Sequence, residues 1–330
     1  MIFPQPEPNV GDGAYTLTYT QDAMNPGTLN SGTITVPINY NGPETTNNYN
    51  LLGNPYASAI DVTAFINAND AVNEVYYWDH ITNPTSELPG FGTSNFSMND
   101  ISIRNAMMGI AAVNGGTGTE PGQFMASGQG FGIKADQAQM AAGTPVVFTN
   151  SIRVTGNNDG FRSSETQIGI DKLWLNLTTT AFNEAIAQTG IGFTPEATPA
   201  IDKGYDSPRV GTFLSLFTTL DSGELLGIQS RETFDPEMEI ALGFSTSIEE
   251  ATPYTISIGN LEGIAIENAT VFIIDHVLGT IVNLNEQAYT FTAQKGLHTD
   301  RFTIVFQDRC LLYTSPSPRD LSTSRMPSSA

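Results

Sequence analysis

Cysteine is nearly absent from this chain, because Cys310 is the only one among 330 residues. The rest of the chain therefore has no disulfide framework and offers no thiolates for a metal site. A chain without such crosslinks depends on a hydrophobic core for its stability. About 300 residues is enough for one or two domains of ordinary size.

Basic residues are also scarce, since 13 Lys and Arg stand against 34 Asp and Glu and give a formal net charge of −21. Such an acidic surface repels the phosphates of nucleic acids and anionic membranes, so we expect no nucleic-acid partner. Charged residues make up only 14% of the chain, while Asn, Thr, Ser and Gly are abundant. This lysine-poor composition is typical of exported proteins, and we expect an extracellular or cell-surface location.

Long apolar runs are absent as well, and no stretch is apolar enough to span a bilayer. The first residues have neither the positive n-region nor the apolar h-region of a signal peptide. We interpret Met1 as an internal methionine or a fragment edge, and expect both natural ends to be missing.

Residues 309–330 differ from the rest, because they have no apolar periodicity and contain the single cysteine. Back-translations of residues 310–320 and 324–330 resemble the two adapters of a sequencing library. A Ser/Pro-rich disordered tail would explain the composition but not both matches. We interpret residues 309–330 as a non-native, disordered, adapter-derived tail. Without its three arginines and one aspartate, 10 basic and 33 acidic residues remain, a formal charge of −23.

A ladder of short β-like segments fills residues 253–306. Each segment is rich in β-branched and aromatic residues, and most alternate apolar with polar side chains. Turn residues such as Gly259, Gly279 and Gly296 separate them. The five segments are residues 254–258, 269–274, 280–284, 288–292 and 301–306. This regular spacing is typical of an antiparallel sandwich or jelly roll.

The preceding residues have the same character apart from one helix near residues 58–69, with Ser58 or Asp61 as its N-cap. A Gly/Asn-rich stretch at residues 155–165 is the best candidate for a boundary. We therefore predict an all-β chain of two antiparallel β-sandwich or jelly-roll-like domains. A β-rich domain, truncated at its N-terminus, occupies residues 1–155, and a β-sandwich occupies residues 156–308.

No catalytic motif stands out. His80, His276 and His298 lie singly at predicted strand ends or turns, so we interpret them as solvated loop histidines rather than zinc ligands. A Gly-x-Ser-x-Gly elbow is missing. Carboxylates in loops would form a glycosidase pair only if the fold brought two of them face to face; they are Asp202, Asp206, Asp221, Asp235 and Glu237. We expect no enzyme activity and no organic cofactor.

Two kinds of ligand stay open. Calcium favours hard oxygen ligands, and the candidates are Asn157, Asp159, Asp202 and Asp206. A glycan would stack on exposed rings, and the candidates are Tyr76, Tyr77, Trp78 and Tyr205. Because strands bury every second ring, we interpret Trp78 and Trp174 as core residues. We expect Trp174 to contact an opposite sheet or a covering loop.

An ordered set of short segments resembles a known family. The segments are residues 53–61 (GNPYASAID), 76–78 (YYW), 127–131 (SGQGF), 148–153 (FTNSIR), 173–178 (LWLNLT), 204–206 (GYD), 226–231 (LGIQSR) and 300–302 (DRF). Together they resemble the C-terminal region of large secreted or surface proteins of Bacteroidota, which typically end in a type IX secretion sorting domain. The likeness covers nearly all of residues 45–308, without the sorting domain itself. It implies export by that route from a longer precursor, and it transfers no catalytic residue.

These observations predict a non-enzymatic structural or adhesive module of an exported cell-surface or secreted protein. The alternative is a carbohydrate-binding accessory module of a secreted hydrolase. The expected partners are extracellular glycans or other surface proteins. An exposed aromatic row on one sheet would favour glycan binding, whereas a cleft with facing carboxylates would favour an enzyme.

Overall fold

The computed structural model of the chain describes residues 28–40, 48–79, 82–86, 88, 92–112, 120–135, 145–158, 170–208, 210 and 213–307. Regular structure in these residues is mostly strand, with only short helices, so the predicted all-β class is confirmed. The predicted tail, residues 309–330, lies outside the described residues.

The first half of the described chain contains nine strands and one α-helix. They are β1 (Ile34–Val36), β2 (Tyr49–Gly53), β3 (Ile60–Asp61), α1 (Val62–Asn67), β4 (Val75–Trp78), β5 (Ile101–Arg104), β6 (Gly109–Ile110), β7 (Phe124–Met125), β8 (Gly130–Lys134) and β9 (Val146–Phe148). Two single 3-10 turns, Met98–Asp100 and Asn150–Ile152, accompany them.

The second half contains eleven strands and two one-turn helices. They are β10 (Asp171–Thr178), α2 (Ala181–Glu184), β11 (Ile186–Phe193), β12 (Ser207–Pro208), β13 (Leu214–Thr219), β14 (Leu225–Arg231), β15 (Glu239–Thr246), β16 (Thr252–Glu262), α3 (Ile264–Glu267), β17 (Phe272–Asp275), β18 (Thr280–Asn283), β19 (Tyr289–Ala293) and β20 (Gly296–Val305). Strands β16 to β20 correspond to the five segments predicted for residues 253–306, which confirms that ladder.

Strands β10 to β20 form one sheet, in the order β18-β17-β20-β15-β13-β14-β11-β10-β16-β19, with β12 paired to β14. Neighbours are antiparallel except β11 and β14, which run parallel from Gly190↔Ile228 to Phe193↔Arg231. The prediction of a purely antiparallel sandwich is therefore wrong at this pair. Parallel neighbours need a long crossover connection. Residues 194–224, which contain β12 and β13, make that crossover.

The eleven-stranded sheet curls on itself until strands from its two ends face each other. The ring of Phe291 on the edge strand β19 lies 5.1 Å from that of Phe244 on β15 and 4.9 Å from that of Phe302 on β20. Strands β15 and β20 lie far from β19 in the strand order, so these contacts cross the interior of the roll. The buried aromatic and aliphatic side chains there form the main core.

A buried ion pair between the neighbouring strands β17 and β20 is hydrogen-bonded to β19 at the other end of the roll. Asp275 at the end of β17 is fully buried, and its Oδ2 accepts hydrogen bonds from Nε and Nη2 of Arg301 at 3.1 and 2.9 Å. The Tyr289 hydroxyl of β19 donates to the same oxygen at 2.7 Å. Burial alone would raise the pKa of Asp275, but donation from Arg301 and Tyr289 leaves that pKa below its ordinary value.

The first half forms a five-stranded sheet in the order β2-β8-β4-β5-β6, with β1 paired to β9 and β3 to β7. Helix α1 packs its Phe65 ring 5.1 Å from that of Phe148. Its N-cap is Asp61, whose Oδ1 accepts from the Ala64 N–H at 2.8 Å. The helix predicted near residues 58–69 is therefore shorter, because Ile60 pairs with Met125 in β3 before the helix begins.

The two halves meet in a separate apolar cluster that contains Trp174 and Ile228 from the second half and Met107 and Met108 from the first. Trp174 is buried, as predicted, and its Nε1 donates to the Gly109 carbonyl at 2.8 Å. A Cβ at Gly190 would lie 2.6 Å from Cε of Met108, so any larger residue there would require the Met108 side chain to move. The cluster therefore packs the segment around β6 against the outer face of β10 and β11.

Most of the predicted domain boundary at residues 155–165 lies outside the described residues, from residue 159 onward. The strands before it and after it pair in different sheets. The division into residues 1–155 and 156–308 stays a prediction.

Candidate functional site

One face of the five-stranded sheet carries the candidate site. The register aligns Leu51 of β2 with Gly132 of β8, Gly132 with Tyr76 of β4, and Tyr76 with Ile103 of β5. Side chains on alternate positions of a strand share a face, so Tyr49 and Trp78 lie on the same face as this row. The second half of the chain covers part of this face, at Tyr76, Ile103 and Ile110, which belong to the cluster around Trp174.

Two glycines form the floor beside Trp78. Gly53 pairs with Gly130, and Trp78 pairs with Ile101. The antiparallel pairing of Tyr76 with Gly132 puts Gly130 on the same face, toward the Trp78 end of β4. A Cβ at Gly130 would meet only the Leu52 carbonyl oxygen, 3.8 Å away, so the space above it is open. The two glycines therefore leave part of the sheet face without side chains, on the same face as the indole.

Exposed apolar side chains, most of them aromatic, lie at this part of the structure. Trp78 is 43% exposed and Phe96 is 55% exposed, and their ring centroids lie 5.7 Å apart in an edge-to-face arrangement. Tyr49 is 43% exposed and Leu51 is 88% exposed on β2. We call Tyr49, Leu51, Trp78 and Phe96 the aromatic surface. Large exposed apolar side chains that gather in one place mark binding surfaces more often than isolated ones do.

The predicted glycan-binding rings are only partly in this surface. Tyr76 and Tyr77 are buried, at 5% and 3% exposure, so neither can present a ring to a ligand. The Tyr76 hydroxyl donates to Oε1 of Glu74 at 2.7 Å, and burial raises the pKa of Tyr76 well above its ordinary value. Tyr205 is half-buried against the Trp174 cluster.

Trp78 is the one predicted ring that lies in the aromatic surface, and its interpretation as a core residue is wrong. The second half of the chain does not cover the end of β4, which leaves the indole 43% exposed. Sequence reasoning missed Tyr49, Leu51 and Phe96. For Tyr49 and Leu51, the sequence signal was their alternation with Asn50 and Leu52. That alternation predicts that the two side chains share a face of the strand, but not that this face is exposed.

Two of the calcium candidates lie side by side without forming a metal site. Oδ2 of Asp206 accepts from the Asp202 N–H at 2.7 Å, and its Oδ1 accepts from the Ser230 N–H at 2.7 Å. Oδ2 of Asp202 accepts from the Thr198 N–H at 2.5 Å. These carboxylates thus fix backbone turns, and no group of three acidic, His or Cys residues that could hold a metal occurs in the described part of the chain.

Of the other two calcium candidates, only Asn157 belongs to the described residues. Asn157 lies in a turn with a positive φ of 57°, and its neighbour Asn158 accepts from the Ser127 N–H at 2.9 Å. Asp159 lies outside the described residues.

The carboxylates proposed as a glycosidase pair are divided between different places. Asp202 and Asp206 line a cavity of about 590 Å³ that Asp70 and Lys203 also line, whereas Asp221 lines another pocket. Asp235 accepts from the Glu237 N–H at 2.9 Å in an exposed turn. Burial raises the pKa of Asp206 to about 6, and its two backbone hydrogen bonds only partly oppose that rise.

The two histidines in the described part of the chain, His276 and His298, form no metal site either. His276 is exposed, as predicted, and its Nε2 lies 2.8 Å from the Thr303 hydroxyl. His298 is not a solvated loop residue, because it lies within β20 and stacks on the Phe244 ring at 4.5 Å. His80 lies outside the described residues.

Among the described residues, no helix has the length and apolar character required to cross a membrane. Comparison with protein families matches residues 10–306 to a family model described as a domain of unknown function. Neither the curated proteins nor the solved structures contain a match.

Proposed function

Since the chain belongs to the family described as Domain of unknown function (DUF8693), which names no activity, we propose its function from its surface chemistry. The chain is a non-enzymatic adhesive module of an exported protein, and its aromatic surface binds extracellular carbohydrate.

The exposure of Trp78 above the glycine floor carries this proposal. Trp78 and Phe96 leave large apolar areas in water, which a ligand with an apolar face would cover. The face of an aromatic ring is electron-rich, so it attracts the C–H groups that a sugar ring presents on its own face. The open space at Gly130 allows a flat sugar residue to approach the indole without meeting a side chain.

The distribution of acidic groups supports a binding role rather than catalysis. A hydrolase of the two-carboxylate type needs its acids on opposite sides of one bond. Here both oxygens of Asp206 and Oδ2 of Asp202 accept from backbone N–H groups, and Asp221 and Asp235 lie at other positions.

Composition supports the exported location. The chain is acidic, and its single cysteine lies in residues 309–330. Export by a type IX-like route is part of the proposal. Antibody against residues 156–308 should label unpermeabilised cells or the culture medium, and recovery of the antigen only from the cytoplasm would contradict this part.

Binding is tested with insoluble cellulose, chitin and xylan as probes. We expect the chain to be retained on at least one of them. A contact between two aromatic rings contributes about 0.5–1.5 kcal/mol. If stacking of a sugar on Trp78 is of the same order, Trp78→Ala should raise Kd roughly two- to tenfold. A Trp78→Ala/Phe96→Ala double variant should be retained least.

Ile264→Ala is the matched control, because Ile264 is an apolar residue with 84% exposure at α3, outside the aromatic surface. The proposal fails if no polysaccharide retains the chain, or if Ile264→Ala weakens retention as much as Trp78→Ala does. Equal melting temperatures of the unchanged protein, Trp78→Ala and Ile264→Ala would show that weaker retention comes from the altered surface and not from unfolding.

The accessory module of a secreted hydrolase stays the alternative, because the same aromatic surface would serve it. An assay with whole cells separates the two functions. If the chain is an adhesive module, beads coated with it should also bind whole cells that display the polysaccharide on which the chain is retained.

A further inference from the structure

A second pocket, with polar walls, lies in the eleven-stranded sheet. It has a volume of about 270 Å³, and its walls include Thr219 and Asp221 at the β13–β14 hairpin, Gln229 and Arg231 of β14, and Glu239 of β15. None of these residues belongs to the aromatic surface. An inference about this pocket therefore stands independently of the proposed function.

Gln229 is the unusual member of the pocket. It is only 3% exposed, and its Oε1 is closed to solvent without a hydrogen-bond partner among the described residues. The hydroxyl oxygen of Thr219 in the same pocket is also buried and unpaired. Buried polar atoms nearly always find partners, so two such atoms in one pocket need an explanation.

Two other glutamines of the chain show how such a side chain is normally satisfied. Oε1 of Gln129 accepts from the Ala126 N–H at 3.0 Å. Gln188 uses both ends of its amide, accepting from the Ala111 N–H at 3.0 Å and donating to Oδ1 of Asn176 at 2.9 Å. Oε1 of Gln229 has no such partner among the described residues, so rotation of the amide toward a ligand would break no hydrogen bond of this oxygen.

The charges at the pocket select the class of ligand. Asp221 and Glu239 lie at the exposed side, and an anion would be repelled by them. Arg231 would repel a cation, although its Nε and Nη2 already donate to Glu232 at 3.0 Å each. A neutral ligand avoids both repulsions, and hydroxyl groups can donate to carbonyl and carboxylate oxygens while accepting from a guanidinium.

We propose that this pocket binds a neutral, hydroxyl-rich ligand the size of one sugar residue, and that Gln229 and Thr219 contact its hydroxyl groups. The pocket is slightly smaller than the usual range for drug-sized ligands, which fits a single ring. The amide of Gln229 can rotate to present either its oxygen or its nitrogen to a hydroxyl, since each hydroxyl both donates and accepts.

The test uses the full chain and ligand-observed NMR with D-glucose, D-galactose, D-mannose, D-xylose and N-acetyl-D-glucosamine. D-glucuronate and D-glucosamine serve as charged probes. We expect at least one neutral sugar to bind more tightly than its charged counterparts. Gln229→Leu should weaken that binding at least tenfold without lowering the melting temperature, because leucine removes an unsatisfied polar group.

Thr219→Val is the second variant, and it should also weaken sugar binding. It tests the pocket even if Gln229→Leu fails to fold. Gln287→Leu is the matched control at an exposed glutamine, and it should bind like the unchanged protein. Trp78→Ala should also keep this binding, which separates the pocket from the aromatic surface. The proposal is overturned if no neutral sugar binds, if Thr219→Val and Gln229→Leu both bind normally, or if Gln229→Leu folds but melts at a lower temperature.

Discussion

Replacement of Trp174 tests the junction between the two halves of the chain. Its indole is 2% exposed, donates to the Gly109 carbonyl at 2.8 Å, and packs in the cluster with Met107 and Met108. The Lys172 ammonium lies 5.8 Å from the ring centroid. The side chain thus contributes apolar packing and one buried hydrogen bond, which two substitutions can separate.

Trp174→Phe keeps most of the apolar contact and leaves the Gly109 carbonyl without its donor. An unpaired buried polar group costs about 1–3 kcal/mol. Trp174→Ala also leaves a cavity, and the total loss for such a change is about 3–5 kcal/mol. We therefore expect the free energy of unfolding to fall in the order unchanged protein, Phe variant, Ala variant.

Urea unfolding followed by far-UV circular dichroism measures these differences. A Trp78→Phe background leaves Trp174 as the only tryptophan. Its fluorescence should resist iodide quenching until the protein unfolds, and the fluorescence and dichroism transitions should be compared because two-state unfolding is not assured at this size. A loss under about 1 kcal/mol for Trp174→Ala, or full iodide quenching in the folded state, would refute the reasoning.

The pKa of Asp206 is raised from 3.8 to about 6, so its contribution to stability is complete below pH 3.8 and is lost as the pH rises through about 6. Asp206→Asn should remove up to about 3 kcal/mol of this loss of stability with rising pH. Urea midpoints measured from pH 3.5 to 7.5 check this for both proteins, and midpoints that fall in parallel would contradict the prediction. Arg301→Met leaves Asp275 buried without its cation, so we expect a loss of about 3–5 kcal/mol. Asp275→Asn/Arg301→Met should lose less by the same urea assay, and an equal or larger loss in the double variant would argue against the ion pair.

Much of the second half of the fold could be predicted because its pattern is local. Alternation and turn residues identify β16 to β20, and the run from Leu173 to Leu177 identifies β10 with Trp174 on its other face. Strand partners are not encoded in that pattern, so the parallel pairing of β11 with β14 was missed. Gly190 also gave no local signal of its role, because the methionine that fills the space beside it is distant in sequence.

The candidate sites depended on long-range packing and were predicted less well. Tyr76 and Trp78 share a face of β4, and their different exposure results from how far the second half of the chain extends over that face. Phe96 comes from a separate segment, so its contact with Trp78 has no sequence signal. Gln229 has no motif either, since its distinguishing property is the absence of a hydrogen-bond partner among the described residues.

The strand order of the large sheet also affects how fast the chain folds. Strand β10 pairs with nearby β11 on one edge and with β16 on the other. Lys172 of β10 and Glu262 of β16, which pair there, are 90 residues apart in the chain. Pairings across such separations have a high contact order, and proteins dominated by them fold in milliseconds to seconds rather than microseconds. During synthesis the leucine-rich β10 would present an open edge until β16 emerges. A chain truncated before residue 252 would keep that edge open, and such edges pair with other chains and aggregate.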